Sequence, residues 1–311
     1  MDIEILLILQ QLRERLGYAG EWIAINLSDA LAAIAIVIPF ITFWCLNKKR
    51  GQLMLAVFAG SLMINQILKL ACAVYRPWIK DERVQPGKMS LRSATGYSFP
   101  SSHTQVAATA YGDLGIETAK TSKKMSIFWF SLILWEGFLR VFLGVHTPQD
   151  VLVGMISAFV MIPVCSVTFR WLARDRKIDI WFAAAYTVFA AVSIIWALNK
   201  PYPMDTVNGV LLVDPENMVK DFMLSCGLSY GIVMGGILEH TFIGFGTECE
   251  KKQKLLRALI GLSGAGVIYL ATRLSVPLLG ALYNSLLRGF LIGLWAVFLT
   301  PLIFTKLEKK N

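Results

Sequence analysis

Residues 125–172 read MSIFWFSLILWEGFLRVFLGVHTPQDVLVGMISAFVMIPVCSVTFRWL. Two apolar runs, 125–143 and 148–170, stand either side of the short link 144–147. Each is close to the roughly 20 residues that an α-helix needs to cross a bilayer. Inside the first run Glu136 and Arg140 are charged, and an ion at mid-bilayer costs roughly 2.5–3.5 kcal/mol on insertion scales. Charges kept against that cost mark the place to look for function.

Further apolar runs lie at about 29–46, 51–75, 101–119, 180–198, 221–243, 255–275 and 284–304, making nine. The run at 101–119 is interrupted by Asp113 and Glu117. The 311 residues are 56% apolar and 16% charged, with a mean hydropathy of +0.58, whereas soluble domains are about a quarter charged. Nine spans leave no room for a separate soluble domain. The expected fold is all-α: a polytopic integral membrane helical bundle of about nine transmembrane helices, one membrane domain over 1–311.

The basic residues divide by side. Lys48, Lys49, Arg50, Lys120, Lys123, Lys124, Arg170, Arg174, Arg176, Lys177, Lys251, Lys252, Lys254, Arg257, Lys306, Lys309 and Lys310 fall in alternate connections, 17 against 11 on the opposite side. Positive charge stays in the cytoplasm, so the N-terminus is expected outside and the C-terminus inside. Connections 76–100, 144–147, 199–220 and 276–283 then face outward. The net charge of +9 reports this orientation rather than a nucleic-acid partner. Residues 2–17 carry acidic residues where a signal peptide is basic, and are expected as an amphipathic helix on the outer surface. The five cysteines form no CxxC pair or Cys/His cluster, so neither a zinc site nor a disulfide framework is expected.

Three clusters sit at outward ends of spans. Lys69 precedes Arg76-Pro77 by seven residues, nearly two helical turns, which places both cations on one stripe about 10 Å apart. Pro77 is expected to end that helix. Next comes Pro100-Ser101-Ser102-His103, opening the third span. Ser101 or Ser102 suits the N-cap, and Ser102 with Gln105 fits a capping box. A capped helix start also turns free amides and the positive dipole end toward one point, which suits phosphate. The third cluster is Arg140, His146 and Asp150. Thr147 as N-cap and Pro148 as first helical residue make a good helix start. Asp150 is also four residues from His146, within reach of a ring N–H, which fixes the tautomer.

Together these read K-x6-R-P, P-S-S-H and R-x5-H-x3-D. The set resembles the type 2 phosphatidic acid phosphatase superfamily, whose pattern is K-x6-R-P, P-S-G-H and S-R-x5-H-x3-D, over residues 69–150. Ser102 stands where glycine is usual, as in the sphingosine-phosphate phosphatases, and Leu139 stands where serine is usual. The resemblance implies a catalytic core over 51–175, with 176–311 supplying additional transmembrane helices. It implies His146 as nucleophile through a phosphohistidine, Asp150 as its orienting carboxylate and His103 as the acid for the leaving oxygen. Phosphate would be held by Lys69, Arg76, Ser101, Ser102 and Arg140. No metal or other cofactor is expected, because three cations already neutralise the phosphate and no ligand-spaced cluster occurs.

The expected activity is metal-independent hydrolysis of a phosphorylated lipid, either a lipid phosphomonoester or a polyprenyl diphosphate, on the extracytoplasmic side of the bilayer. A small soluble phosphate such as a sugar phosphate is the alternative substrate. A non-catalytic phosphate- or lipid-binding transporter is the rival class, disfavoured because binding alone needs neither histidine nor Asp150. Glu136, one turn from Arg140, is expected to offset its burial. His103 has no carboxylate spaced in the local sequence to orient it. His240 is expected to be structural, and Arg257, Arg273 and Arg288 interfacial. The connection 199–220 is expected as a solvated loop, with a roof over the site as the alternative.

Overall fold

The structure is a computed structural model that describes residues 2–92, 94–172, 174 and 176–308. Lys309 and Lys310 lie outside the described residues. The long helices are α1 (Asp2–Ile41), α2 (Lys48–Cys72), α4 (Ser102–Thr118), α5 (Lys123–Phe142), α6 (Pro148–Leu172), α7 (Arg176–Asn199), α8 (Pro215–Phe242), α9 (Lys251–Ala271) and α10 (Val276–Leu294). Short helices α3 (Pro77–Lys80) and α11 (Thr300–Glu308) complete the set. Among the described residues, eight helices are long and apolar enough to cross a membrane. The seventeen residues of α4 fall short of that length. The fold is all-α and polytopic, as the apolar runs require.

Two compact units divide the chain. The first comprises Met1–Ile36, Ile64–Ile162 and Pro201–Met218. Within it α1 is broken at Gly17, whose φ of 61° is left-handed, a conformation glycine adopts without a Cβ clash. The segment before Gly17 is helical and packs one side into the unit, while Ile8, Leu12 and Leu16 are exposed. Leu6 is buried against Val84, Val141 and Val151, and Arg13 donates to the carbonyls of Phe142 and Gln85.

The expected path from Lys69 to Arg76 is corrected. Helix α2 stops at Cys72, Ala73 takes a positive φ of 46°, and 73–76 are not helical. Pro77 starts α3 instead of ending α2, with Arg76 as its N-cap residue. Proline suits this first position because its missing N–H is unpaired there anyway. The two cations therefore reach the site by different routes rather than along one helical stripe.

The connection 199–220 is only partly a solvated loop. Thr206–Val207 (β1) pairs antiparallel with Val210–Leu211 (β2) through Asn208 and Gly209, both at positive φ, the backbone that a tight two-residue hairpin needs. Asp205 accepts a hydrogen bond from Tyr75 (2.6 Å), and Met218 fills the space beside Gly96.

The second unit comprises Val37–Met63, Pro163–Lys200 and Val219–Asn311. Gly227 and Gly231 of α8 lie against the backbone of α10 at Leu286 and Phe290, while Gly289 and Gly293 meet α8 at Leu224 and Leu228. A methyl group at any of these positions would collide with main chain, so small residues set the close approach. Arg257 is buried rather than interfacial. It pairs with both oxygens of Glu308 (2.9 and 2.8 Å) and donates to the carbonyls of Trp44 and Gly246. His240 stands 3.6 Å from Asp179, a contact in keeping with a structural role.

Candidate active site

All eight residues proposed from the motifs fall in the first unit. The centre is His146, 2% exposed, in the link between α5 and α6. Its Nδ1 lies 3.4 Å from Asp150 Oδ2. Asp150 is fixed by a reciprocal cap: its carboxylate accepts from the Thr147 amide (2.8 Å), and its own amide donates to Thr147 Oγ1 (3.2 Å). One carboxylate thus starts α6 and anchors the imidazole. On the other face, Arg76 Nη1 lies 3.0 Å from His146 Nε2. An arginine N–H can only donate, so Nε2 carries the lone pair and Nδ1 the proton. Burial first, and the Arg76 cation second, hold this imidazole well below its usual 6.5, against the opposing pull of Asp150.

Arg76 also donates from Nε to the Gly96 carbonyl (2.8 Å) and from Nη1 to the Val145 carbonyl (2.9 Å). Lys69 donates to the Tyr97 carbonyl (2.9 Å). Two cations that spacing assigned to phosphate therefore also brace the backbone leading into Pro100-Ser101-Ser102-His103. That turn is tied to α6 by the Ser101 amide on the Asp150 carbonyl (2.9 Å). Gly154 admits the approach, because a Cβ there would stand 2.8 Å from the Ser101 carbonyl oxygen.

The serine assignments need correction in detail. Ser101 is the N-cap of α4, its Oγ facing the Thr104 amide (3.5 Å) and Thr104 Oγ1 (3.0 Å). Ser102 donates to Asn65 Oδ1 (2.7 Å), and Asn65 Nδ2 donates to Gln105 (2.7 Å), so no Ser102–Gln105 capping box forms. Both hydroxyls are engaged inside the protein. What the turn offers an anion is its first-turn amides, Ser102 and His103, which have no intrahelical carbonyl.

Arg140 is 1% exposed and Glu136 fully buried. They are joined through Ser28, which donates to Glu136 (2.6 Å) and accepts from Arg140 Nη1 (3.2 Å). The expected offset by Glu136 is thus relayed by a hydroxyl from α1. Arg140 Nε and Glu136 Oε2 are buried without a hydrogen-bond partner among the described residues. His103 faces Asp29 of α1, with Nε2 3.5 Å from Oδ1.

Four contributors escaped the sequence reading: Ser28, Asp29, Asn65 and Ser98. Ser98 donates to Asp150 Oδ2 (2.5 Å) and stands 3.5 Å from His146 Nδ1, so a hydroxyl reaches the histidine pair although Leu139 lacks one. Ser98 lies two residues before the second motif, and its position there was the one available signal. Ser28 and Asp29 are distant in sequence from every motif.

The site thus gathers buried cations, a carboxylate-backed histidine and the first-turn amides of α4. Residues 51–174 match the PAP2 superfamily, and residues 223–311 match the PAP2 superfamily phosphatase transmembrane extension. Residues 51–174 thus carry a PAP2-superfamily domain, and the chain is an integral membrane protein. It is 33% identical over 134 residues to phosphatidylglycerophosphatase B of Bacillus subtilis, covering 41% of this chain and 62% of that one. It is 28% identical over 136 residues to undecaprenyl-diphosphatase BcrC of the same organism (42% and 65%). It is 26% identical over 110 residues to an undecaprenyl-diphosphatase of Sulfolobus acidocaldarius (35% and 50%). The chain spans under two thirds of the length of these curated relatives. No solved structure matches it significantly.

Proposed function

We propose that the protein hydrolyses phosphorylated lipids at a membrane-embedded site, through a phosphohistidine on His146 and without a metal. The observation that carries the reading is His146 itself, a buried neutral imidazole backed by Asp150 with its Nε2 lone pair turned to a cation. A phosphate entering the site takes over Arg76's hydrogen bond, which frees Nε2. Nε2 then attacks phosphorus, an N–P bond forms, and the P–O bond to the leaving alcohol or phosphate breaks. His103 gives that oxygen its proton. In the second step His103 takes a proton from water, the hydroxide oxygen bonds to phosphorus, and the N–P bond breaks to release phosphate.

Lys69, Arg76, Arg140 and the first-turn amides of α4 stabilise charge on the equatorial oxygens. These cations supply what a divalent ion otherwise provides, which supports metal independence. Lipid phosphates are favoured because a tail remains in the bilayer while the headgroup reaches His146. The similar proteins are named for a phosphatidylglycerophosphate and for undecaprenyl diphosphate. The 17-to-11 division of basic residues supports an extracytoplasmic site.

Phosphate release from lipid monophosphates, polyprenyl diphosphates and sugar phosphates, in detergent with excess chelator, tests the proposal. Turnover of lipids over sugars, abolished in His146→Ala, is expected. Activity that disappears in chelator and returns with one divalent ion rejects metal independence. Activity that persists in His146→Ala rejects the phosphohistidine.

A further inference from the structure

We propose that Asp29, on α1 and outside all three motifs, is a positioning residue for His103. The inference rests on the phosphatase reading above. Its first support is contact. Asp29 Oδ1 stands 3.5 Å from His103 Nε2, and this is the one ion-pair contact of His103 among the described residues.

The second support is that α1 is held in register at this point. Ser28, fully buried, is bonded to both Glu136 and Arg140 of α5. Two residues beyond Asp29, the Leu31 carbonyl accepts from Tyr111 (2.7 Å), which lies on α4, the helix that carries His103. Asp29 is half exposed, yet its backbone is pinned from both sides to the helices that carry the site. Its carboxylate is therefore presented to His103 by the fold.

The chemistry follows from what His103 is asked to do. A proton held on Nε2 toward Asp29 leaves Nδ1 as the working nitrogen. The first step must begin from the imidazolium, held beside the cations Arg76 and Arg140 with the Asp29 carboxylate supplying the opposite charge, and it leaves the ring neutral once Nδ1 has given its proton to the leaving oxygen. In the second step the same contact holds the tautomer in which Nδ1 accepts a proton from water. Each histidine then has its own carboxylate: Asp150 from the adjoining turn for His146, Asp29 from a remote helix for His103.

The test is single-turnover release from a lipid monophosphate and from nitrophenyl phosphate, using the full chain in detergent. The proteins are wild type, Asp29→Asn, Asp29→Glu, His103→Ala and the double variant Asp29→Asn/His103→Ala. Loss of a general acid costs on the order of 10²–10⁴-fold on an alkyl leaving group. Asp29→Asn is expected to lose a part of that, roughly tenfold to a hundredfold, on the lipid. It should lose little on the nitrophenyl ester, whose leaving group needs no proton. Asp29→Glu should recover most of the lipid rate, and Asp29→Asn should add no loss to His103→Ala. Equal loss on both substrates, or additive loss in the double variant, overturns the inference. An Asp29→Asn protein indistinguishable from wild type overturns it too, while leaving the phosphatase reading intact if His103→Ala discriminates between the substrates. A wild-type protein that releases phosphate from neither substrate overturns the phosphatase reading itself.

Discussion

The two units each bury arginine, and they do so in opposite ways. In the second unit Arg257 meets a carboxylate with two parallel hydrogen bonds and two carbonyls with a third nitrogen. It also lies against the rings of Phe245 and Phe304. In the first unit Arg140 has the Ser28 hydroxyl, and its Nε has no partner among the described residues. Arg76 has carbonyls and a histidine. Among the described residues neither forms a direct ion pair with a carboxylate. Burying an uncompensated ion costs several kcal/mol. A saturated arginine locks helices together, whereas an unsaturated one keeps its affinity for an anion from outside. That difference separates the arginine that locks helices from those proposed to hold phosphate, where burial alone does not.

The largest expected effect breaks the comparison from the functional side. Arg76→Ala and Arg140→Ala should each lower kcat/KM by about 10²–10³-fold, the usual cost of removing one preorganised donor. The apparent melting temperature in detergent should fall modestly, because removing Arg140 strands the buried Glu136 and removing Arg76 frees two braced carbonyls. A saturating phosphate analogue should stabilise wild type, by about 2.7 kcal/mol at a hundred times its Kd, and stabilise the Arg140→Ala protein much less. A marked fall in melting temperature with activity retained would erase the distinction.

The reverse experiment is Arg257→Ala. A fully buried pair broken on one side costs about 3–5 kcal/mol. Glu308 is 28% exposed, so about 1–3 kcal/mol is expected after solvent screening. The melting temperature should fall while activity per folded molecule stays unchanged. A specific loss of kcat would show that the second unit takes part in the chemistry.

The smallest effect sharpens the comparison within the first unit. Ser98→Ala removes one of the hydrogen bonds on Asp150 and leaves the Thr147 amide in place. A neutral bond to a charged group is worth about 1.5–3 kcal/mol, so roughly a tenfold to hundredfold loss in kcat is expected at most, with KM nearly constant. No change would make Ser98 a spectator and leave Leu139 uncompensated.

Sequence by itself determined the class of fold and singled out the groups proposed to react. Runs of about 20 apolar residues admit helices alone, because hydrocarbon offers no partner for an open backbone. His146, Thr147 and Asp150 were legible because a helix start is local, and the cap that begins α6 also orients the imidazole. What reaches across the chain was decided only by the tertiary structure. No short-range rule predicts that α2 stops at Cys72, so that Arg76 turns onto Nε2 of His146. Nor does any rule predict that Ser98 supplies the hydroxyl absent at Leu139. Ser28 and Asp29 belong to a helix with no motif of its own, and their chemistry exists only where α1 packs against α4 and α5. Local hydrogen bonding is written in spacing, whereas the pairing of distant charges depends on which helices become neighbours.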